Sequence, residues 1–258
     1  MKLVLKLENN KRIELPLQYN HIVQAFIYNN IDKELANFLH DKGYVLGNRI
    51  FKLFTFSKIY GKYSIDKESK KIYFESPIEI IIKTPVEKFA NSLLNSMILK
   101  SDLILGINNL KLSEYQIIND SLKIQLDDEK NKNITINIKT LSPITVYSTL
   151  KTADDKNYTC YFLPGDPKFN ELINSNLEKK SKLLKIDNFN NLKILKHRGK
   201  VRMLIYKGFY IKAYDGILTL NGDYRMLDIA LSCGLGSKNS QGLGAIDLIN
   251  IEKKGGDM

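Results

Sequence analysis

Apolar spacing along the first part of the chain switches between period two and helical period in an order that few folds accommodate. Lys2 to Glu8 alternates apolar and polar side chains, the pattern of a half-buried strand. Asn20 is placed to cap a helix through Ile22, Val23, Ala25, Phe26 and Ile27, and a second helical run covers Lys33 to Asp41. Phe51 to Phe56 and Ile72 to Lys83 read as strands. Pro85 opens an amphipathic helix through Val86, Phe89, Leu93, Leu94 and Met97. Leu103 to Ile118 then reads as strand, with a turn at Asn108-Asn109. The order β-α-β-β-α-β is that of a ferredoxin-like unit.

The order recurs after a polar stretch from Asp127 to Asn133. Ile134 to Val146 is strand-like and Pro167 to Leu184 helical. Lys193 to Tyr214 reads as a strand pair turning near Gly199 or Gly208. Asp223 to Cys233 is an amphipathic helix, and Ala245 to Ile251 a closing strand. The fold expected is therefore α+β, with ferredoxin-like (RRM-like) domains in tandem over 1–126 and 133–258.

At 258 residues the chain is long enough to bury a substantial core. Lys and Arg number 39 against 28 Asp and Glu, a net charge of +11 that favours a polyanionic partner over an acidic small molecule. Cys160 and Cys233 are the only cysteines, which argues against a disulfide framework or a cysteine zinc site. No signal peptide opens the sequence, and no apolar run approaches the ~20 residues of a membrane span, so the expected location is the cytoplasm and no membrane partner is expected.

Near the C-terminus stands Gly234-Leu-Gly-Ser-Lys-Asn-Ser-Gln-Gly-Leu-Gly244. Gly234 and Gly236 on one side, Gly242 and Gly244 on the other, enclose Lys238, Asn239 and Ser240 in a polar middle. Glycine serves where backbone takes positive φ or comes close to another group, so the segment is a candidate phosphate-facing loop. The alternative is a helix-to-strand turn with a glycine cap. Lys238 sits between the glycine pairs and no Gly-Lys-Ser/Thr follows, so this is not a Walker loop; nor does it open a helix after a strand, as a dinucleotide fingerprint would.

Lys193 to Lys212 carries Arg198, Lys200 and Arg202 among its cations and no acidic residue, with Tyr206, Phe209, Tyr210 and Tyr214 in or beside it. Cations track phosphates, and aromatic faces stack unpaired bases. The alternative is a solvated hairpin whose aromatics belong to the core.

Three histidines are present. His21 falls in the first turn of a helix and suits capping. His197 lies among cations. His40 ends a helix before Gly43. No metal-ligand spacing and no nucleophile elbow occur, so neither a metal nor a cofactor is expected. Acid–base work by histidine, with lysine stabilising charge, is what the residues offer.

The glycine segment joins other pieces to resemble one family. Tyr19-Asn-His-Ile-Val-Gln-Ala-Phe-Ile-Tyr-Asn29, Phe38-Leu-His40, Phe51-Lys-Leu-Phe-Thr-Phe-Ser57 and Thr140-Leu-Ser-Pro-Ile-Thr-Val146 follow, in order and spacing, blocks of the Cas-six family of RAMP proteins. These are the CRISPR-associated endoribonucleases that process precursor crRNA. The resemblance implies two tandem ferredoxin-like domains. It also implies metal-independent cleavage of repeat RNA to a 2′,3′-cyclic phosphate and a 5′-hydroxyl. Tyr28, His40 and Lys52 fall at the family's tyrosine, histidine and lysine. CRISPR repeat RNA is the implied partner, with other CRISPR effector subunits or a second copy in a homodimer as further candidates. The competing readings are a non-catalytic RNA-binding subunit of an effector complex and, from another class, a phosphate-loop nucleotide enzyme.

Overall fold

The computed structural model describes residues 1–122, 133–151, 154–186 and 190–252. The first unit runs β1 (Lys2–Glu8), β2 (Ile13–Pro16), α1 (Asn20–Asn29), α2 (Lys33–Asn37), β3 (Tyr44–Leu46), β4 (Arg49–Phe51), β5 (Thr55–Phe56), β6 (Tyr63–Asp66), β7 (Lys71–Phe74), β8 (Ile78–Lys83), α3 (Glu87–Leu99), β9 (Leu103–Leu105) and β10 (Asn108–Ile118). Its main sheet has the order β5-β8-β1-β10-β9, with antiparallel neighbours. Leu3, Leu5 and Leu7 of β1 alternate with half-exposed residues and are buried beneath α1 and α3, as period two requires.

The second unit runs β11 (Asn133–Thr140), β12 (Val146–Lys151), β13 (Asn157–Phe162), α4 (Pro167–Leu183), β14 (Lys193–Tyr206), β15 (Phe209–Asp223), α5 (Tyr224–Cys233) and β16 (Ile246–Glu252). Its antiparallel sheet has the order β14-β15-β11-β16. Both sheets place the first strand beside the last and the third, which is the ferredoxin-like arrangement that the element order predicts. Apart from Asn133, the polar stretch read as the domain boundary lies outside the described residues.

Several turns differ from the sequence reading, each for a physical reason. The Leu103–Ile118 run turns at Gly106, where φ is +63°, and not at Asn108-Asn109. Asn108 is instead buried, its amide bonded to Glu14 and Leu105. Lys193 to Tyr214 takes the second of its two expected turn positions, at Lys207 and Gly208, both at positive φ, which suits a two-residue hairpin loop. Gly199 stays in mid-strand opposite Gly216, where a Cβ would lie 2.3 Å from the Asp215 carbonyl oxygen. The Ile72–Lys83 run divides around Pro77 into β7 and β8. The Phe51–Phe56 run breaks at Leu53, whose φ of +54° turns its side chain into the second unit's core. Asn20 does not cap α1, because Tyr19 takes that position.

The Asn20 amide reaches the second unit, donating to the carbonyls of Gln241 (3.0 Å) and Gly242 (3.1 Å). Thr55 donates to the Leu243 carbonyl at 3.1 Å. Lys83, wholly buried, pairs with Asp120 at 2.7 Å and Asp247 at 3.2 Å and donates to the Ile246 carbonyl. Burial pushes the Asp247 carboxyl up, but Lys83 and Lys2 outweigh it and leave it below the usual carboxylate range. Removing one partner of so buried a pair strands the other charge.

Gly242 sits at this seam with φ +77°, and a Cβ there would stand 2.3 Å from the Phe56 ring. Gly242→Ala is expected to lower unfolding free energy by about 2–4 kcal/mol, combining left-handed strain with overpacking. Gly47 also has positive φ but nothing within 4 Å of a Cβ. Gly47→Ala should therefore cost only about 1 kcal/mol. Urea unfolding of both variants checks the contrast, and equal costs would remove the seam's special role.

Candidate functional site

A cleft of about 320 Å³ opens between the two units. One wall is residues 49–54 of the first unit; the other is α4, the start of β12 and the glycine segment. Arg49, Lys52, Lys179, Lys180 and Lys238 line it, and among the described residues no carboxylate does. Such a wall concentrates positive potential where low-dielectric protein focuses the field.

All four segment glycines have positive φ, from +69° to +79°. The space a Cβ would need is filled by the chain itself. At Gly244 it would meet the Leu235 carbonyl at 2.0 Å, and at Gly236 the Thr145 carbonyl at 2.4 Å. The close approach that these missing side chains permit is to the chain's own backbone and side chains. The half-exposed middle, Ser237 to Gln241, is what faces the cleft. Asn239 braces that middle, its amide donating to the carbonyls of Leu235 (3.1 Å) and Leu243 (3.0 Å).

Lys180 holds the same turn from below. It lies on the apolar stripe of α4 with Phe169, Ile173 and Leu177 and is 2% exposed. Its Nζ donates to the Gly234 carbonyl at 2.7 Å and to Asn239 Oδ1 at 2.8 Å. Burial among neutral acceptors, with little help from Cys233, lowers its pKa to about 8. Composition pointed past this residue, although a lysine on the stripe Phe169, Ile173, Leu177 is a readable sign of burial.

His40 occupies a π-helical turn, Phe38–Lys42, that follows α2 and ends at Gly43. Asp32 caps α2 through Glu34 and Leu35, so the chain breaks between Asn29 and Lys33, where bringing Tyr28 toward His40 would require it. The His40 side chain is 81% exposed, and its Nδ1 lies 2.7 Å from Asp41 Oδ1. Lys52 donates from Nζ to the carbonyls of Leu39 and His40. Burial lowers its pKa, and Asp41 opposes that shift. His40 and Lys52 are thus brought together through the backbone of the turn. Asp41 was missed, although its adjacency to His40 was visible.

Among the described residues Tyr28 makes no hydrogen bond to His40 or Lys52. Its ring packs edge-on against Phe54, centroids 6.0 Å apart, two residues beyond Lys52. Burial first, then Tyr206, push its phenol up to about 12. The Tyr206 hydroxyl donates to Gln24 of α1, so this tyrosine joins the units. Tyr214 is buried in the second core, which answers the stacking question for it; Phe209 and Tyr210 are 76% and 68% exposed.

Arg198, Lys200 and Arg202 share one face of β14 and are exposed. Arg202 Nε lies 3.3 Å from Asp215 Oδ2, an acidic partner outside the strip that only the hairpin register reveals. His197 sets its ring edge toward Tyr214, centroids 6.1 Å apart.

Paired ferredoxin-like units thus enclose a glycine turn and a basic cleft. Residues 124–248 match the family model for the C-terminal region of CRISPR associated protein Cas6. The CRISPR-associated endoribonuclease Cas6 1 of Methanocaldococcus jannaschii is 27% identical, over 98% of this chain and 94% of its own. A Cas6-related protein of Pyrococcus furiosus superposes with a TM-score of 0.75 at 19% identity, covering 96% of this chain and 98% of its own. A RAMP protein described as binding different RNA substrates gives 0.73 at 20%, over 97% and 100%. The chain is thus similar to Cas6 proteins, through the family model in its C-terminal half and through the curated relative along nearly its whole length.

A pH consequence follows from Lys180. Its pKa is lower folded, about 8, than its ordinary 10.5. Between those values the unfolded chain holds more protons, so stability rises with pH across that window. The contribution is absent in Lys180→Met. Unfolding free energy measured from pH 7.5 to 10 should climb more steeply in the wild type than in the variant; parallel profiles would contradict the assignment.

Proposed function

We propose that this chain is an endoribonuclease that cleaves CRISPR repeat RNA in precursor crRNA. The observation that carries the reading is the junction of His40 and Lys52 at one turn, with Lys52 also lining the cation-only cleft. The curated relative, an endoribonuclease by name, supports it.

The reaction follows from the groups present. The RNA 2′-hydroxyl attacks the adjacent phosphate, and the 5′-oxygen leaves, giving a 2′,3′-cyclic phosphate and a 5′-hydroxyl. The nucleophile is the substrate's own, so no metal-activated water is required. With Asp41 engaging Nδ1, Nε2 of His40 is the nitrogen free to accept the 2′ proton or return one to the leaving oxygen. Lys52 has three N–H groups and gives two to backbone carbonyls, leaving one for a phosphorane oxygen. Tyr28, protonated up to about 12, acts as a hydrogen-bond donor toward the ribose. Ser237, Lys238, Ser240 and the β14 cations contact flanking phosphates.

The test is incubation with the repeat RNA encoded nearest its gene, in EDTA. One cut is expected. Binding without cleavage would favour the non-catalytic subunit. His40→Ala should lower the single-turnover rate by roughly 10²-fold or more while affinity stays within about threefold. His21→Ala, in the first turn of α1, should leave the rate within about threefold, below what removal of an acid–base group produces. A reversal of the two would overturn the histidine assignment.

The cation strip predicts a graded salt response. Removing one cation that neutralises a phosphate should lower the slope of log K against log salt by about 0.7 on single-stranded RNA. Lys200→Ala should show that full decrease, and Arg202→Ala less, because Asp215 already pairs with it. An unchanged slope in Lys200→Ala would remove that lysine from the interface.

A further inference from the structure

The β12–β13 hairpin has a face that core packing does not use. Val146 and Phe162 stand opposite each other and pack in the second core. By strand alternation, the next pair, Tyr147 and Tyr161, points to the other face. Their rings lie 5.8 Å apart at 52° and are half-exposed. Tyr147 also lines the cleft. Lys238, a non-glycine residue held at φ +60°, places its Nζ 5.5 Å from the Tyr147 ring centroid. Left-handed backbone at a residue with a side chain costs energy and collects at functional positions. At the far end, the Tyr161 hydroxyl donates to the Tyr210 carbonyl at 3.0 Å, fixing this ring against the turn of the β14–β15 hairpin. Tyr147 and Tyr161 therefore link the cleft, where Lys238 stands, to that turn.

We propose that Tyr147 and Tyr161, with Lys238 beside them, form a base-stacking subsite for unpaired nucleotides of the RNA as it leaves the cleft. The inference rests on the RNA-cleavage reading and adds a named contact to it. Rings held on a rigid hairpin offer π-faces to any base, so the subsite is tolerant of base identity. Lys238 lies where the phosphate of a stacked nucleotide would pass. Duplex RNA hides its base faces, so the subsite selects an unpaired segment.

The experiment measures binding of fluorescein-labelled repeat RNA to wild type, Tyr147→Leu, Tyr161→Leu and the matching phenylalanine variants, with circular dichroism to check folding. The leucine variants should bind roughly tenfold more weakly, in the range for removal of one base–aromatic stack, and with an unchanged salt slope. The phenylalanine variants should stay within about twofold, below the effect of removing a stack, although Tyr161→Phe removes the bond to Tyr210. The same RNA is then scanned with abasic nucleotides. At one or two positions the abasic change should weaken wild type as much as the leucine change does, and add nothing in the leucine variant. Wild-type affinity in folded leucine variants, or additive effects at every position, would overturn the subsite while leaving cleavage intact. Failure of the wild type to bind repeat RNA at all would overturn the cleavage reading together with it.

Discussion

The missing side chain at Gly242 lets the Phe56 ring close against the backbone of the glycine turn, and the joint between the units depends on that contact. Once it is closed, Asn20 reaches the carbonyls of Gln241 and Gly242, and Thr55 reaches Leu243. Lys83 completes the seam as a buried cation bound to a carbonyl and two carboxylates. These contacts fix the polar middle of the turn opposite residues 49–54. The cleft is a consequence of the seam, built from segments far apart in the chain.

A wall of cations with no lining carboxylate among the described residues is uncomfortable for an empty protein and favourable for a polyanion. Arg49, Lys52, Lys179 and Lys238 carry that charge at the cleft, whereas Lys180 is buried against the turn, and burial rather than a cationic neighbour lowers its pKa. A bound phosphate backbone would compensate these charges together. The His40 turn is arranged differently: its backbone is clamped by Lys52 while the His40 ring stays in solvent beside Asp41. A fixed backbone with an accessible ring suits a proton carrier that must meet a bulky, flexible substrate.

The fold was legible because hydrophobic period separates strand from helix wherever a face is buried, as Leu3, Leu5 and Leu7 show. Turn positions were less so. Asn108-Asn109 and Gly106 are both good turn chemistry, and only the burial of Asn108 against Glu14 decides between them. The positive φ of the segment glycines could be read from the chain, but not what each would touch. Arg202 looked unopposed because Asp215 lies on the next strand. Lys180 and Asp41 carried usable signals, one by helical spacing and one by adjacency. His40, Lys52 and Tyr28 came from family resemblance rather than from spacing.

The central claim is that the RNA supplies its own nucleophile at the His40–Lys52 turn. The direct measurement replaces the ribose 5′ of the scissile phosphate by 2′-deoxyribose and follows binding and cleavage in EDTA, with mass analysis of the fragments from the normal RNA. The account predicts near-normal binding, no cleavage of the deoxy RNA, and a 2′,3′-cyclic phosphate end on the normal product. Cleavage of the deoxy RNA, or a 5′-phosphate on the product, would contradict it.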